Sequence, residues 1–131
     1  MTTKKFKLSK RSLDNLAFVH ADLVRVVKRA IEITDIDFVV IEGWRTEAKQ
    51  RKLVESGASM TMNSRHLTGH AVDLAAWVGG QIRWDWPLYA QIADAMLSAS
   101  RELGVPIVWG GHWKTFKDGP HFELDRKRYP A

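Results

Sequence analysis

The sequence predicts a single α+β domain over residues 1–131, in which helices flank a small, mostly antiparallel sheet. Three observations lead to this fold class. Two segments carry apolar residues at helical spacing, several short runs are rich in β-branched residues, and Gly79-Gly80 separates two such runs as in a hairpin. Helices come first and then alternate with strands, an order that favours α+β over a parallel doubly wound sheet.

The first half of the chain is predicted to contain three helices and one strand. A short helix over 9–16 has Ser9 or Ser12 as its cap, and an apolar stripe predicts a stronger helix over 22–33. The β-branched run at 38–41 is typical of a buried strand. Thr46 is the expected cap of the third helix, over 47–55.

The second half of the chain is predicted to alternate strands with one long helix. Asp85 or Trp86 lies at the start of that helix, Pro87 suits its first turn, and Gly104 ends it. The predicted elements in order are a loop at 58–65, a strand at 71–77, a returning strand at 81–84, the helix from about 86 to 103, and strands at 105–109 and 121–124.

Composition and charge exclude several classes of protein. The chain has no Cys, so disulfides, thiolate nucleophiles and Cys-type zinc sites are excluded. No apolar run reaches the ~18 residues of a membrane span, and the N-terminus lacks the apolar run of a secretory signal. The net charge of +5 is carried by a basic N-terminal arm, residues 1–11, and charges balance beyond it. We therefore expect no broad phosphate-binding face and no nucleic acid partner.

Three residues form a candidate metal site. His66 and Asp73 flank Gly69, which permits a tight bend between them, and His121 begins the last predicted strand. Two imidazoles and one carboxylate are a common catalytic zinc set, with a fourth position left for water. The predicted ligands come from two segments that must pair in space. His70 lies beside them but is expected to face solvent or to support the ligands, and His20 is expected to be a packed or surface residue.

The chemistry of such a site also needs a base and a cation. Asp118 precedes His121 by one Gly-Pro turn, whereas Glu123 shares a strand face with His121, and the spacing alone leaves either as the base. Arg45 follows a strand and a glycine. Its guanidinium would stabilise an oxyanion or hold a substrate carboxylate in bidentate fashion.

Two motifs resemble a family of zinc peptidases. Residues 64–73 match S-x-H-x-x-G-x-A-x-D, and Asp118 to His121 matches D/E-x-x-H. The lead-in at 43–46 resembles a G-x-R-[ST] segment. Together these resemble the zinc D-alanyl-D-alanine peptidases and the related phage L-alanyl-D-glutamate endopeptidases, and the order of motifs along nearly the whole chain is similar to short phage and prophage endolysins.

The resemblance implies a role for each candidate residue. His66, Asp73 and His121 would bind Zn²⁺, and Asp118 would be the general base in preference to Glu123. Arg45 would act on the substrate, and Ser64 would contact the substrate or support the ligands. The implied fold is the small zinc-peptidase fold that is similar to the hedgehog domain. One departure is His112, in a W-G-G-H-W segment where relatives often carry an acid, which leaves the role of that position open.

The resemblance also implies a substrate and a setting. The expected substrate is the peptidoglycan stem peptide, cut between L-alanine and D-glutamate by an endolysin. The sequence shows no coiled coil or obvious pairing strand, so a monomer is expected. It would collect in the host cytoplasm and reach the wall after membrane permeabilisation, without stable insertion in the membrane. The alternatives are a D-alanyl-D-alanine carboxypeptidase or dipeptidase and, from another class, a non-catalytic module that binds cell wall or nucleic acid.

Overall fold

The computed structural model describes residues 6–59, 61–115 and 117–130 of the chain. The first five residues of the predicted basic arm, with Lys4 and Lys5, lie outside the described residues. The elements are α1 (Lys10–Asn15), α2 (Ala21–Ile33), β1 (Phe38–Glu42), α3 (Glu47–Glu55), β2 (Ala71–Val78), β3 (Gln81–Arg83), α4 (Trp86–Leu103), β4 (Ile107–Trp109) and β5 (His121–Leu124).

Every strand pair in the described sheet is antiparallel, which confirms the predicted α+β class. The strand order is β1-β2-β5-β4, and β3 pairs with the outer end of β2 as the second arm of the glycine hairpin. Gly79 and Gly80 both adopt positive φ values in that turn, which explains the choice of glycine there.

Helix boundaries follow the predicted caps closely. Ser9 accepts a hydrogen bond from the Ser12 backbone N–H and begins α1, and Thr46 does the same for Lys49 at the start of α3. Helix α2 begins one residue earlier than predicted because the His20 Nδ1 accepts the Asp22 N–H and caps it. The predicted packed or surface histidine is therefore a helix cap.

Two segments differ from the predicted pattern. Strand β4 begins at Ile107 rather than at residue 105, because Val105 donates its N–H to Ser100 at the end of α4 and Pro106 has no N–H to donate. Short 3-10 helices, Arg65–Thr68 and Gly110–His112, replace parts of the predicted loops.

One face of the sheet packs against the helices in the core, and the other carries the candidate site residues. Helices α2 and α4 pack against each other, and the core comprises their apolar faces together with alternate residues of the sheet. Val72, Leu74 and Phe122 point into this core and are fully buried. Because side chains alternate along a strand, Asp73, His121 and Glu123 point to the opposite face. The candidate site residues thus lie on the face away from the main core.

Candidate metal centre

Strand pairing brings the two predicted ligand segments together. Asp73 of β2 lies directly opposite His121 of β5 in the antiparallel ladder. His66 approaches from the 3-10 helix Arg65–Thr68, which begins where Ser64 Oγ accepts the His66 N–H and ends at Gly69 in a left-handed conformation. A side chain at Gly69 would collide with the carbonyl oxygen of Phe18, so this bend needs glycine for two reasons.

The three candidate ligands converge on one point. One potential ligand atom from each of His66, Asp73 and His121 lies within 4.8 Å of the other two. Oδ1 of Asp73 is 3.3 Å from His66 Nε2 and 3.3 Å from His121 Nδ1. A tetrahedral zinc site with bonds of about 2.0–2.1 Å would separate neighbouring ligand atoms by roughly 3.3–3.4 Å. The measured separations therefore fit a metal ion.

The hydrogen bonding of these residues also fits a metal ion. Asp73 Oδ1 is buried and has no hydrogen-bond partner among the described residues, which is costly without a cation beside it. The ring of His66 uses Nδ1 to donate to the Gly43 carbonyl at 2.8 Å, so that Nε2 keeps its lone pair. His121 uses Nε2 toward Glu123 at 2.9 Å, so that Nδ1 faces Asp73. Each imidazole is thus held in the tautomer that a metal needs.

Without a metal ion, neighbouring charges shift the pKa values of Asp73 and His121. Burial alone would raise the pKa of Asp73, but the neighbouring His121 and His66 outweigh it and hold that pKa well below its usual range. Burial would lower the pKa of His121, yet the carboxylates of Asp73 and Glu123 raise it to about 9. A proton shared within this cluster would be displaced when a metal ion binds.

Both carboxylate oxygens of Glu123 accept hydrogen bonds, one of them from His121. Its side chain is 4 % exposed, and its Oε1 accepts from His121 while Oε2 accepts from Arg126 Nε at 3.1 Å. The buried Arg65 guanidinium lies 3.7 Å from the same carboxylate. As predicted, Glu123 shares the face of His121, but these contacts suit a carboxylate that orients a ligand rather than one that takes a proton from water.

Asp118 lines the same cleft, and its carboxylate accepts no hydrogen bond from the described residues. Its backbone carbonyl accepts from the His121 N–H across the Gly-Pro turn, and its side chain makes no hydrogen bond with the described residues. Burial, followed by the charge of Asp73, raises its pKa above the usual range. Gly110 allows this approach, because a Cβ there would lie 3.1 Å from the Cβ atoms of both Asp118 and His121.

Arg45 lies beside the site but is already tightly bound. Its Nε donates to Glu42 at 2.8 Å, its Nη1 donates to the buried Gln50 at 2.7 Å, and its Nη2 lies 3.9 Å from Asp73. A bulge near Ile41 shifts the β1 register so that Glu42 pairs with Asp73. Glu42 and Gln50 were not predicted. Gln50 is the one buried residue of α3, which the polar sequence of that helix does not reveal.

Two other histidines lie outside this cluster. His70 contacts Thr68 through its Nδ1 and packs against the ring of His20, with ring centroids 5.4 Å apart. His112 is exposed and packs edge-on against Trp109. Within the described part of the chain, neither belongs to the group that could hold a metal.

Comparison with known proteins agrees with this geometry. A family model described as phage L-alanyl-D-glutamate peptidase matches residues 4–130, which is nearly the whole chain. The chain belongs to this family. The L-alanyl-D-glutamate peptidase of Escherichia phage T5 is 34% identical over 128 residues, a match that covers 95% of this chain and 93% of that protein.

Other relatives of this peptidase family include a bacterial enzyme and a solved structure. The peptidoglycan L-alanyl-D-glutamate endopeptidase CwlK of Bacillus subtilis is 32% identical over 113 residues, covering 75% of this chain and 66% of that protein. The crystal structure of the Serratia marcescens L-Ala D-Glu endopeptidase ChiX superposes with a TM-score of 0.91 at 50% identity, and the match covers 97% of this chain and 96% of that one. The predicted family and fold are confirmed.

Proposed function

We propose that this protein is a zinc-dependent peptidoglycan hydrolase that cleaves the stem peptide between L-alanine and D-glutamate. The observation that carries the proposal is the convergence of His66, Asp73 and His121 around the unpartnered, buried Oδ1 of Asp73, in a member of the phage L-alanyl-D-glutamate peptidase family. These three residues would hold the ion, and their nitrogen and oxygen donors suit zinc. Bound zinc would acidify a water molecule and polarise the scissile carbonyl.

Asp118 is proposed as the general base. Its pKa is raised toward neutral pH, which suits a carboxylate that takes a proton from water and later returns it to the leaving amine. Its position is fixed from both sides, because the Asp118 N–H donates to the Gly110 carbonyl at 3.0 Å and its own carbonyl accepts from His121. Asp118 is therefore held at a fixed position relative to His121, one of the proposed zinc ligands.

Arg45 and Ser64, which line the same cleft, are proposed to support the reaction. Since the Nε and Nη1 of Arg45 are bound, its remaining contribution is positive charge directed through Nη2 toward Asp73, which favours oxyanion stabilisation over bidentate carboxylate binding. Ser64 lines the cleft and caps the 3-10 helix that presents His66, so it would both position a ligand and contact substrate.

The proposed setting is lysis of a host cell by a monomeric endolysin that acts on the wall once the membrane is permeabilised. Within the described residues, no helix combines the length and apolar character needed to cross a membrane. The main alternative is a D-alanyl-D-alanine carboxypeptidase or dipeptidase, which the same ligand set would serve. The relatives above are all named for the L-alanyl-D-glutamate bond, which favours the first activity.

The test is digestion of purified cell wall followed by mass spectrometry of the products. We expect new peptides that begin with D-glutamate, activity that is lost on chelation, and activity that returns when zinc is added. Asp118→Asn should retain bound zinc but lose about 10²–10⁴-fold of the rate. The exposed acid Asp94 gives a matched control, Asp94→Asn, which should be unaffected. Release of free D-alanine would instead support the alternative.

A further inference from the structure

The cleft that contains the candidate metal centre carries more positive charge than the proposed chemistry uses. It has a volume of about 870 Å³ and is lined by four cationic side chains, namely Arg45, Arg65, Lys117 and Arg126. The first two have only 10 % and 7 % of their side chains exposed. Arg45 is held by Glu42 and Gln50, and Arg65 donates to two backbone carbonyls near the C-terminus. The inner pair is therefore held in place by other groups of the protein, whereas the outer pair faces the open cleft.

Arg126 differs from Lys117 in being held in a fixed orientation. Its Nε donates to Glu123 at 3.1 Å while 69 % of its side chain stays exposed. Its Nη1 and Nη2 make no hydrogen bond with the described part of the chain. A guanidinium that is anchored through Nε presents the two other nitrogens as a planar fork, which is the geometry that binds a carboxylate in bidentate fashion. Lys117 makes no ion pair with the described residues and lacks such a fork.

The proposed substrate supplies a matching anion. D-glutamate has two carboxyl groups, and the peptide continues through only one of them. The other is a free carboxylate within a few bonds of the nitrogen that leaves during cleavage. The cleft is lined by four cationic side chains against the three acids Asp73, Asp118 and Glu123, so a cation with free donors can receive this anion there.

We propose that Arg126 is the subsite for the free carboxylate of D-glutamate and thereby selects D-glutamate over uncharged residues on the leaving side of the scissile bond. This inference rests on the proposed function. His121, Glu123 and Arg126 form one continuous hydrogen-bonded chain, so the subsite is anchored to the residue that holds a ligand of the metal centre. A substrate whose carboxylate binds Arg126 thus has its scissile bond positioned next to the metal centre.

The experiment uses two soluble peptides that are identical except for one group. In one peptide the free carboxylate of D-glutamate is present, and in the other it is a carboxamide. Zinc-loaded wild-type protein should cleave the carboxylate peptide with a kcat/KM about 10–100-fold higher, because a bidentate charge-assisted pair is lost with the amide. Arg126→Gln should reduce this preference to about 3-fold or less, mainly through the carboxylate peptide, and Arg126→Lys should give an intermediate preference.

The neighbouring Lys127 supplies the matched control. It is exposed and is not among the residues that line the cleft, so Lys127→Gln removes the same charge and should keep the full preference. Three results would overturn the subsite. They are a wild-type protein that does not distinguish the peptides, an Arg126→Gln variant that loses both activities equally, and a preference that disappears with Lys117→Gln instead. The second result would mean that Arg126 acts only by holding Glu123.

Failure of the proposed function is a separate outcome. If wild type cleaves neither peptide, NMR titration with the carboxylate and carboxamide peptides still decides the role of Arg126. Tighter binding of the carboxylate peptide that Arg126→Gln removes would support the subsite, and equal binding of the two peptides would refute it.

Discussion

The charge state of His121 makes the stability of the metal-free protein depend on pH. The pKa of this buried imidazole is raised to about 9 from an ordinary value of 6.5, because the carboxylates of Asp73 and Glu123 outweigh the cost of burial. A raised pKa in the folded state means that the proton stabilises the fold below pH 6.5, and that this stabilisation is lost as pH rises through about 9. The full contribution is about 3 kcal/mol, and most of it disappears between pH 7 and 10.

The assay is urea unfolding with a chelator present, at pH values from 7 to 10. The free energy of unfolding should fall by about 2–3 kcal/mol for the wild type, and the fall should be much smaller for His121→Asn. His112→Asn removes an exposed histidine outside the cluster and should keep the wild-type slope. A wild-type curve that is flat, or a His121→Asn curve with the same slope, would refute the reasoning.

Three further substitutions test the support of the site. Gly110→Ala places a Cβ against Asp118 and His121, and should cost about 1–3 kcal/mol in urea unfolding together with most of the activity. Trp109→Phe removes a buried 2.7 Å hydrogen bond to the turn before His121, and should cost about 1–3 kcal/mol by the same measurement. Glu123→Gln should weaken zinc binding about 10–100-fold in a competition titration, since the imidazole loses its charged partner. Unchanged stability for the first two, or unchanged affinity for the third, would contradict these assignments.

Much of the site could be predicted because strand alternation is a local property. Once 71–77 and 121–124 are strands, Asp73 shares a face with its β2 neighbours two residues away, and Glu123 shares the face of His121. The capping residues of α1 and α3 were equally local, since each depends on a hydrogen bond within three residues. These features needed no knowledge of which strands are adjacent.

The remaining features depend on contacts between distant segments. The bulge near Ile41 arises from the pairing of β1 with β2, so the contact of Glu42 with Arg45 beside Asp73 could not be read from spacing. The pairing of Glu123 with Arg65 and Arg126 likewise depends on how the C-terminal segment folds back. For this reason the sequence alone left Glu123 as either the general base or a residue that supports His121. Only its contacts in the structure favour the second role.

The division of the sheet into two faces means that adjacent residues of one strand are constrained by different requirements. At Val72, Leu74 and Phe122 a substitution changes the free energy of unfolding, whereas at Asp73 and His121 it changes the candidate metal centre. A mutational scan along β2 and β5 should therefore show tolerance that alternates with a period of two. Val72, Leu74 and Phe122 should accept apolar replacements of similar volume, whereas Asp73 and His121 should accept none that lacks a ligand atom. The thermal stability of this sheet can thus be engineered from its core face without altering the residues that face the cleft.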